Sequence, residues 1–231
     1  MKQNAFHRLK AQVTEESTRE YRARGIQVKR CPVCQINPDF CICDDAPAQK
    51  SNIDFILLFH RDEIFKPTNT GRLIADTFPD NTFAYCWNRK SPDGSLLALL
   101  QDPERDCYLI FPAEETDDRH LVNEPTMPSP KRVTFILLDA TWRQGRRMFN
   151  FSQWMKEIPV LRISPEASAE YTSRKAHKED YLSTAESAVC ALKLAGEPQQ
   201  ADLLFDYFDL FNQRYSAMRS NHQKSKSGRE S

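Results

Sequence analysis

Glycine is scarce. The 231 residues include only six, at positions 25, 71, 94, 145, 196 and 228, and no two stand close enough to build a glycine-rich phosphate loop. The P-loop and the G-x-G-x-x-G dinucleotide turn are thereby excluded. No apolar run approaches the roughly 20 residues needed to span a bilayer. Met1 to Lys10 also lacks the apolar stretch of a secretory signal. A cytoplasmic protein is expected, with no membrane association and no obligate protein partner evident. Net charge is missing as well: 32 basic side chains balance 32 acidic ones, so any attraction to a polyanion must come from local clustering. What the chain does have is apolar material. At 40% hydrophobic residues it can bury one sizeable core, which excludes disorder of the whole chain.

The balanced charge is sorted along the sequence. Residues 1–30 carry eight Lys or Arg against three Glu; residues 101–126 carry eight acids against Arg105 and Arg119; residues 131–178 carry ten basic side chains against four acidic ones. Such segregation predicts a basic face for a polyanion, with the acidic stretch turned elsewhere; ordinary solvated surface is the alternative. The segment from Arg219 to Ser231 is rich in Ser, Lys and Arg and reads as a disordered polar tail. The expected division is a basic arm and cysteine segment over 1–48, one catalytic α/β domain over 49–218, and the tail over 219–231.

Short apolar runs at Ile53 to Phe59, Thr82 to Trp87, Cys107 to Phe111, Val133 to Leu138 and Pro159 to Ile163 read as buried strands. Helical patterns lie between them. Ser183-Thr184-Ala185-Glu186 is a capping box that starts a helix at Ser183, and Gly196 with Pro198 beyond it should stop that helix. From about Gln200 to Met218, Leu204, Phe208, Phe211, Tyr215 and Met218 recur at steps of three or four and predict a helix packed on the core. Strands alternating with helices predict an α/β fold with a largely parallel sheet, whose ligands sit at the carboxyl ends of the strands.

Cys31-x-x-Cys34, followed after six residues by Cys41-x-Cys43, gathers four of the seven cysteines into one short segment. Four thiolates at that spacing can close a tetrahedral shell around Zn²⁺, and four protein ligands with no open position describe a structural site. A disulfide is the competing reading, but a Cys41–Cys43 bridge would close a strained ring and a cytoplasmic chain is kept reduced. A redox role for Cys31-Pro-Val-Cys34 is disfavoured by flanks that do not read as a strand-to-helix turn. Cys86, Cys107 and Cys190 lie in apolar runs and are expected as small buried residues.

In Phe135-Ile-Leu-Leu-Asp139-Ala-Thr141-Trp142 a charge directly follows four apolar residues, where a buried strand emerges at the ligand edge of the sheet. Asp139 is placed for chemistry, unless it or Thr141 merely caps the next helix. Trp142 either meets a ligand or belongs to the core. Arg143, Arg146 and Arg147 follow on an exposed side suited to phosphates, and Gly145 permits close approach of a ligand or another backbone.

Asp139-Ala-Thr-Trp142 resembles the D-x-T-W signature of the DTW-domain family. Asn69-Thr70-Gly71-Arg72-Leu73, with His60, Glu63 and Pro67 upstream, is similar to its N-T-G-R segment; Leu182-Ser183-Thr184-Ala185-Glu186 is similar to its L-S-T-x-E segment; and the four clustered cysteines match its amino-terminal ones. The likeness runs from about Arg30 to Gly196, in the family's order, and departs from it at Lys66, Gly145 and Ser187.

The resemblance implies a SPOUT-like fold with a knotted cofactor-binding region, and transfer of the 3-amino-3-carboxypropyl group of S-adenosylmethionine to N3 of a uridine in tRNA. The form nearest to this chain implies the variable loop as the place modified and 5′-methylthioadenosine as the by-product. Candidate walls for the co-substrate are Asn69, Thr70, Gly71, Arg72, Phe111, Pro112, Leu137, Leu138, Leu182, Ser183 and Thr184. Asp139, Thr141 and Trp142 are the catalytic candidates, with Asp139 as base or as anchor of the donor's amino group, and Arg72 is a fork for a carboxylate or phosphate. The basic arm, Arg143, Arg146, Arg147, Arg174 and Lys175 are the expected tRNA contacts. Two other classes stay open: a SPOUT-type RNA methyltransferase, and a non-enzymatic zinc-bearing RNA-binding module.

Overall fold

The computed structural model describes residues 3–17, 29–115, 117–163 and 182–227. Six strands, β1 (Asp54–Phe59), β2 (Thr82–Cys86), β3 (Arg105–Ile110), β4 (Leu121–Val122), β5 (Arg132–Asp139) and β6 (Val160–Leu161), form one sheet in the order β2-β1-β5-β3-β6-β4. Every pairing is parallel, so the expected largely parallel α/β architecture holds. β1 and β5 lie inside the sheet with both faces covered. That is why their sequences are continuous apolar runs instead of alternating ones.

The helices are α1 (Ala5–Glu15), α2 (Gly71–Thr77), α3 (Gly94–Leu100), α4 (Trp142–Phe151), α5 (Thr184–Leu194) and α6 (Pro198–Ser227). Side chains alternate across each strand. Phe55, Leu57, Phe59, Phe135 and Leu137 therefore share one core with α1, α2, α5 and α6. Ile56, Leu58 and Ile136 share a second core with Leu96 of α3 and with Met148 and Phe149 of α4.

The capping box is present: the Ser183 backbone N–H donates to Glu186 Oε2 at 2.8 Å, the Glu186 N–H to Ser183 Oγ at 3.3 Å, and the chain turns out of α5 at Gly196 with φ +77°. In α6, Leu204, Phe208 and Phe211 are buried on the expected face. α6 continues to Ser227, into the segment expected to be a disordered tail. Once a helix is anchored by packing, further turns need no new nucleus, so polar residues with fair helix propensity can extend it.

The amino-terminal segment is more than a basic arm. Phe6, Leu9 and Val13 of α1 are buried in the first core, and Phe6 lies 5.3 Å from Phe59 by ring centroids. At the amino edge of the sheet the Asp54 carboxylate accepts from Arg105 and Arg132, each at 2.6 Å, and from Asn81 at 2.9 Å. These bonds lock the starts of β1, β3 and β5 together. The register pairs Phe59 with Asp139, so the loops after β1 and β5 leave side by side at the opposite edge.

Candidate functional site

Asp139 is the last residue of β5 and is 4% exposed. Its Oδ1 accepts from Asn69 Nδ2 at 2.5 Å and its Oδ2 from the Gly71 N–H at 2.9 Å; the Thr184 side chain also hydrogen-bonds the carboxylate. Gly71 opens α2 and Thr184 opens α5, so a backbone N–H at the start of one helix and a side-chain hydroxyl at the start of another converge on one carboxylate. Ala185 N–H further reaches Thr70 Oγ1 at 3.4 Å. Burial, with the neighbouring Glu63 carboxylate adding to it, pushes Asp139 up to about 7, against the hydrogen bonds from Thr184, Gly71 and Asn69. A Cβ on Gly71 would overlap the Asp139 carboxylate and press on Phe59, so the scarce glycine here is set by close approach.

Arg72 is turned away from Asp139. It is 1% exposed; Nε donates to the Asn69 carbonyl at 3.2 Å, Nη2 to Pro67 at 3.5 Å, and the guanidinium lies 5.1 Å from the Phe211 ring centroid. Its Nη1 has no partner among the described residues.

On the other face of the sheet, His60 follows β1, and its N–H donates to the Asp139 carbonyl at 3.0 Å. Thr141 is the N-cap of α4: its N–H and hydroxyl both donate to Gln144 Oε1, at 3.0 and 2.7 Å. That fixes the amide so that Gln144 Nε2 faces His60 Nδ1 at 3.2 Å. In the neutral ring Nδ1 then accepts and the proton sits on Nε2. Neither Gln144 nor Trp87, which stacks on His60 with centroids 6.3 Å apart, is marked by any sequence motif.

Trp142 is not a core residue. It is 40% exposed and stacks on Phe111 at 5.6 Å and 6°, while Phe111 stacks on Phe149 at 4.4 Å and 10°. Leu137 is buried, Leu138 half-buried, and Pro112 exposed. The segments of Asn69–Gly71, Asp139 and Thr184 are thus brought together, whereas Phe111 and Trp142 form a separate wall on the α4 side.

Arg143 and Arg147 are exposed, as expected for phosphate contacts. Arg146 differs, pairing with Asp117 at 3.1 Å; Lys156 pairs with Asp118 at 2.9 Å and Arg162 lies 3.9 Å from Glu115. The acidic stretch therefore faces the basic one instead of turning elsewhere, because opposite charges on adjacent loops and helices gain most by lying together. Arg174 and Lys175 lie outside the described residues.

Cys31, Cys34, Cys41 and Cys43 place their four Sγ atoms within 4.8 Å of one another. The Cys31–Cys43 and Cys34–Cys41 separations are both 3.6 Å and Cys31–Cys41 is 3.8 Å. A tetrahedron with Zn–S bonds of about 2.3 Å has edges of about 3.8 Å, so the thiols fit a closed Zn²⁺ shell, and none is disulfide-bonded. The loop is shaped for it: Gln35 has φ +59°, and Cys31 N–H donates to the Ile36 carbonyl at 2.7 Å. Ile36 and Ile42 are buried with α6, and Tyr207 Oη donates to the Ile42 carbonyl at 3.4 Å.

A family model described as the DTW domain matches residues 28–216. A curated relative, tRNA-uridine aminocarboxypropyltransferase 2 of Macaca fascicularis, is 24% identical over 175 residues, which cover 71% of this chain and 55% of the relative. No solved structure matches the chain. Among the described residues, no helix is long and apolar enough to cross a membrane.

Proposed function

The chain belongs to the DTW-domain family, and on that footing we propose that it transfers the 3-amino-3-carboxypropyl group of S-adenosylmethionine to N3 of a uridine in the variable loop of tRNA, in the cytoplasm. The observation that carries this reading is the meeting of Asn69-Thr70-Gly71, Asp139 and Thr184 at the carboxyl end of a central parallel strand. That is where an open α/β sheet holds its ligand, and it needs no glycine-rich loop. With this site goes the SPOUT-like, knotted cofactor-binding region that the family resemblance implies.

The residues present suit such a donor. The Asp139 and Glu63 carboxylates favour its cationic centres, the segments Asn69 to Arg72 and Leu182 to Thr184 offer backbone carbonyl groups, Leu137 and Leu138 supply apolar surface, and Phe111-Pro112 belongs to the separate wall on the α4 side. When bound, the sulfonium activates each carbon attached to it. The protein's work is then to choose the carbon by holding uridine N3 in line with it, about 3 to 3.5 Å away. Asp139 accepts the N3 proton; its carboxyl, raised toward neutrality, is a stronger base than an ordinary aspartate. N3 bonds to the methionyl methylene as the carbon–sulfur bond breaks, its electron pair passing to sulfur, and 5′-methylthioadenosine leaves. Zn²⁺ held by Cys31, Cys34, Cys41 and Cys43 is structural, since the shell leaves no open position.

Mass spectrometry of tRNA nucleosides from cells with and without the gene tests the reading. Loss of an aminocarboxypropyl-uridine on deletion is expected; loss of a methylated nucleoside in its place would assign the chain to the methyltransferases.

A further inference from the structure

We propose that the Asn69 side chain is a positioning residue for Asp139, aiming the carboxylate at the proton it is to accept, and that it makes no contact with S-adenosylmethionine. The inference rests on the reading of Asp139 as the base and takes the Asn69 side chain out of the donor wall.

Asn69 is 3% exposed, and its amide has no hydrogen left for a ligand. Nδ2 carries two; one goes to Asp139 Oδ1 at 2.5 Å and the other to the Glu63 carbonyl at 3.3 Å. Oδ1 accepts from the Arg72 N–H at 3.0 Å. These neighbours leave one orientation of the amide, since the flipped one would set Nδ2 against an N–H and Oδ1 against two oxygens. The backbone behind it is held as well. Arg72 Nε and Nη2 donate to the Asn69 and Pro67 carbonyls, and the Asn69 N–H donates to the Lys66 carbonyl at 3.1 Å. A side chain locked in this way holds its neighbour to a narrow range of positions.

The consequence for Asp139 follows from counting. A carboxylate offers about four lone-pair positions. Among the described residues Asn69, Gly71 and Thr184 take three, which leaves one for an arriving proton and fixes its direction. Burial and the Glu63 carboxylate drive Asp139 toward its neutral form, and these three bonds oppose them. Glu63 is itself paired with Lys66 Nζ at 2.5 Å, so the asparagine amide adds to a balance of charges already set around the site. Without its donor the carboxyl would keep its proton further above neutrality and lose its use as a base there.

The test follows the Asp139 carboxyl directly, by ¹³C NMR titration of the full chain with labelled aspartate, its signal identified by its absence in Asp139→Asn. Asn69→Ser keeps an oxygen for the Arg72 N–H and removes the donor to Asp139; it should raise the titration midpoint by about one pH unit. Asn69→Asp, closest to the wild type in shape, sets a second carboxyl beside the first and should raise it further; it serves if the serine variant fails to fold. Circular dichroism confirms the fold of each. In the transfer assay the rising limb of rate against pH should move with the midpoint, while S-adenosylmethionine affinity, read by calorimetry, stays that of the wild type. An unmoved midpoint, a rate lowered equally at every pH, or a loss of donor affinity overturns the inference. Formation of 5′-methylthioadenosine by the wild type is measured in parallel. Its absence, with the midpoint still moved by Asn69→Ser, sinks the transferase reading and leaves Asn69 as the residue that sets Asp139.

Discussion

At the scale of single residues the proposed chemistry centres on Asp139, whose two carboxylate oxygens are held by Asn69 and Gly71 while burial makes it an unusually strong base for an aspartate. If it accepts the uridine proton, the transfer rate should rise with pH through about 7 and then level off, since only the ionised carboxylate accepts. Asp139→Asn should abolish transfer while donor binding, followed by calorimetry, survives; lost binding would make Asp139 a donor ligand instead. Stability carries the opposite sign. A carboxyl whose folded pKa is raised favours the protonated fold, so its stabilising contribution is full below the ordinary range near 3.9 and is lost as pH climbs through about 7. Melting temperatures of the wild type relative to Asp139→Asn should fall across that window, and a constant difference would show that Asp139 titrates as an exposed group does. Gly71→Ala forces a methyl against the same carboxylate and should cost about 1–3 kcal/mol in urea unfolding, with transfer lost. Asp139 is legible in the sequence because four apolar residues ending in a charge mark the exit of a buried strand. The tilt of Arg72 toward Phe211 is not, since that contact joins residues far apart in the chain.

At the scale of elements, the cysteine loop docks α6 against the rest of the first core through Ile36, Ile42 and Tyr207. Metal analysis should give one Zn²⁺ per chain, and Cys41→Ser or a strong chelator should lose the metal and unfold the amino-terminal region. A Cys41→Ser protein with full metal and unchanged melting would contradict this. The Asp54 clamp ties together the starts of three strands, so Asp54→Ala leaves Arg105 and Arg132 facing one another without their shared counter-charge and should cost about 3 kcal/mol. Its arginine and asparagine hydrogen bonds hold the Asp54 carboxyl below its usual range despite burial, so this stability is present above about pH 4 and lost as pH falls further. The cysteine spacing, the capping box and the buried strands are local patterns, and each is found where its pattern lies. β4 is two residues long, Leu121–Val122, too short to carry a period. α1 did leave a signal, Phe6, Leu9 and Val13 at steps of three and four, outweighed by the basic composition around it.

At the scale of the whole molecule, a chain without net charge places its acidic stretch against its basic one, so that Asp117, Asp118 and Glu115 occupy cations that composition alone assigns to RNA. Such pairing joins segments remote in sequence and cannot be read from charge counts, whereas the parallel α/β architecture can, because strand and helix periods are local. The strand ends where Asp139 sits form the edge proposed to hold both substrates. The central claim is that this edge directs attack to the methionyl methylene of S-adenosylmethionine and not to its methyl group. The most direct measurement is to incubate the purified protein with unmodified tRNA and S-adenosylmethionine and identify the small-molecule product by mass spectrometry. The expected product is 5′-methylthioadenosine, formed in step with an aminocarboxypropyl-uridine in the tRNA and absent with Asp139→Asn; S-adenosylhomocysteine with a methylated nucleoside would overturn the transferase reading.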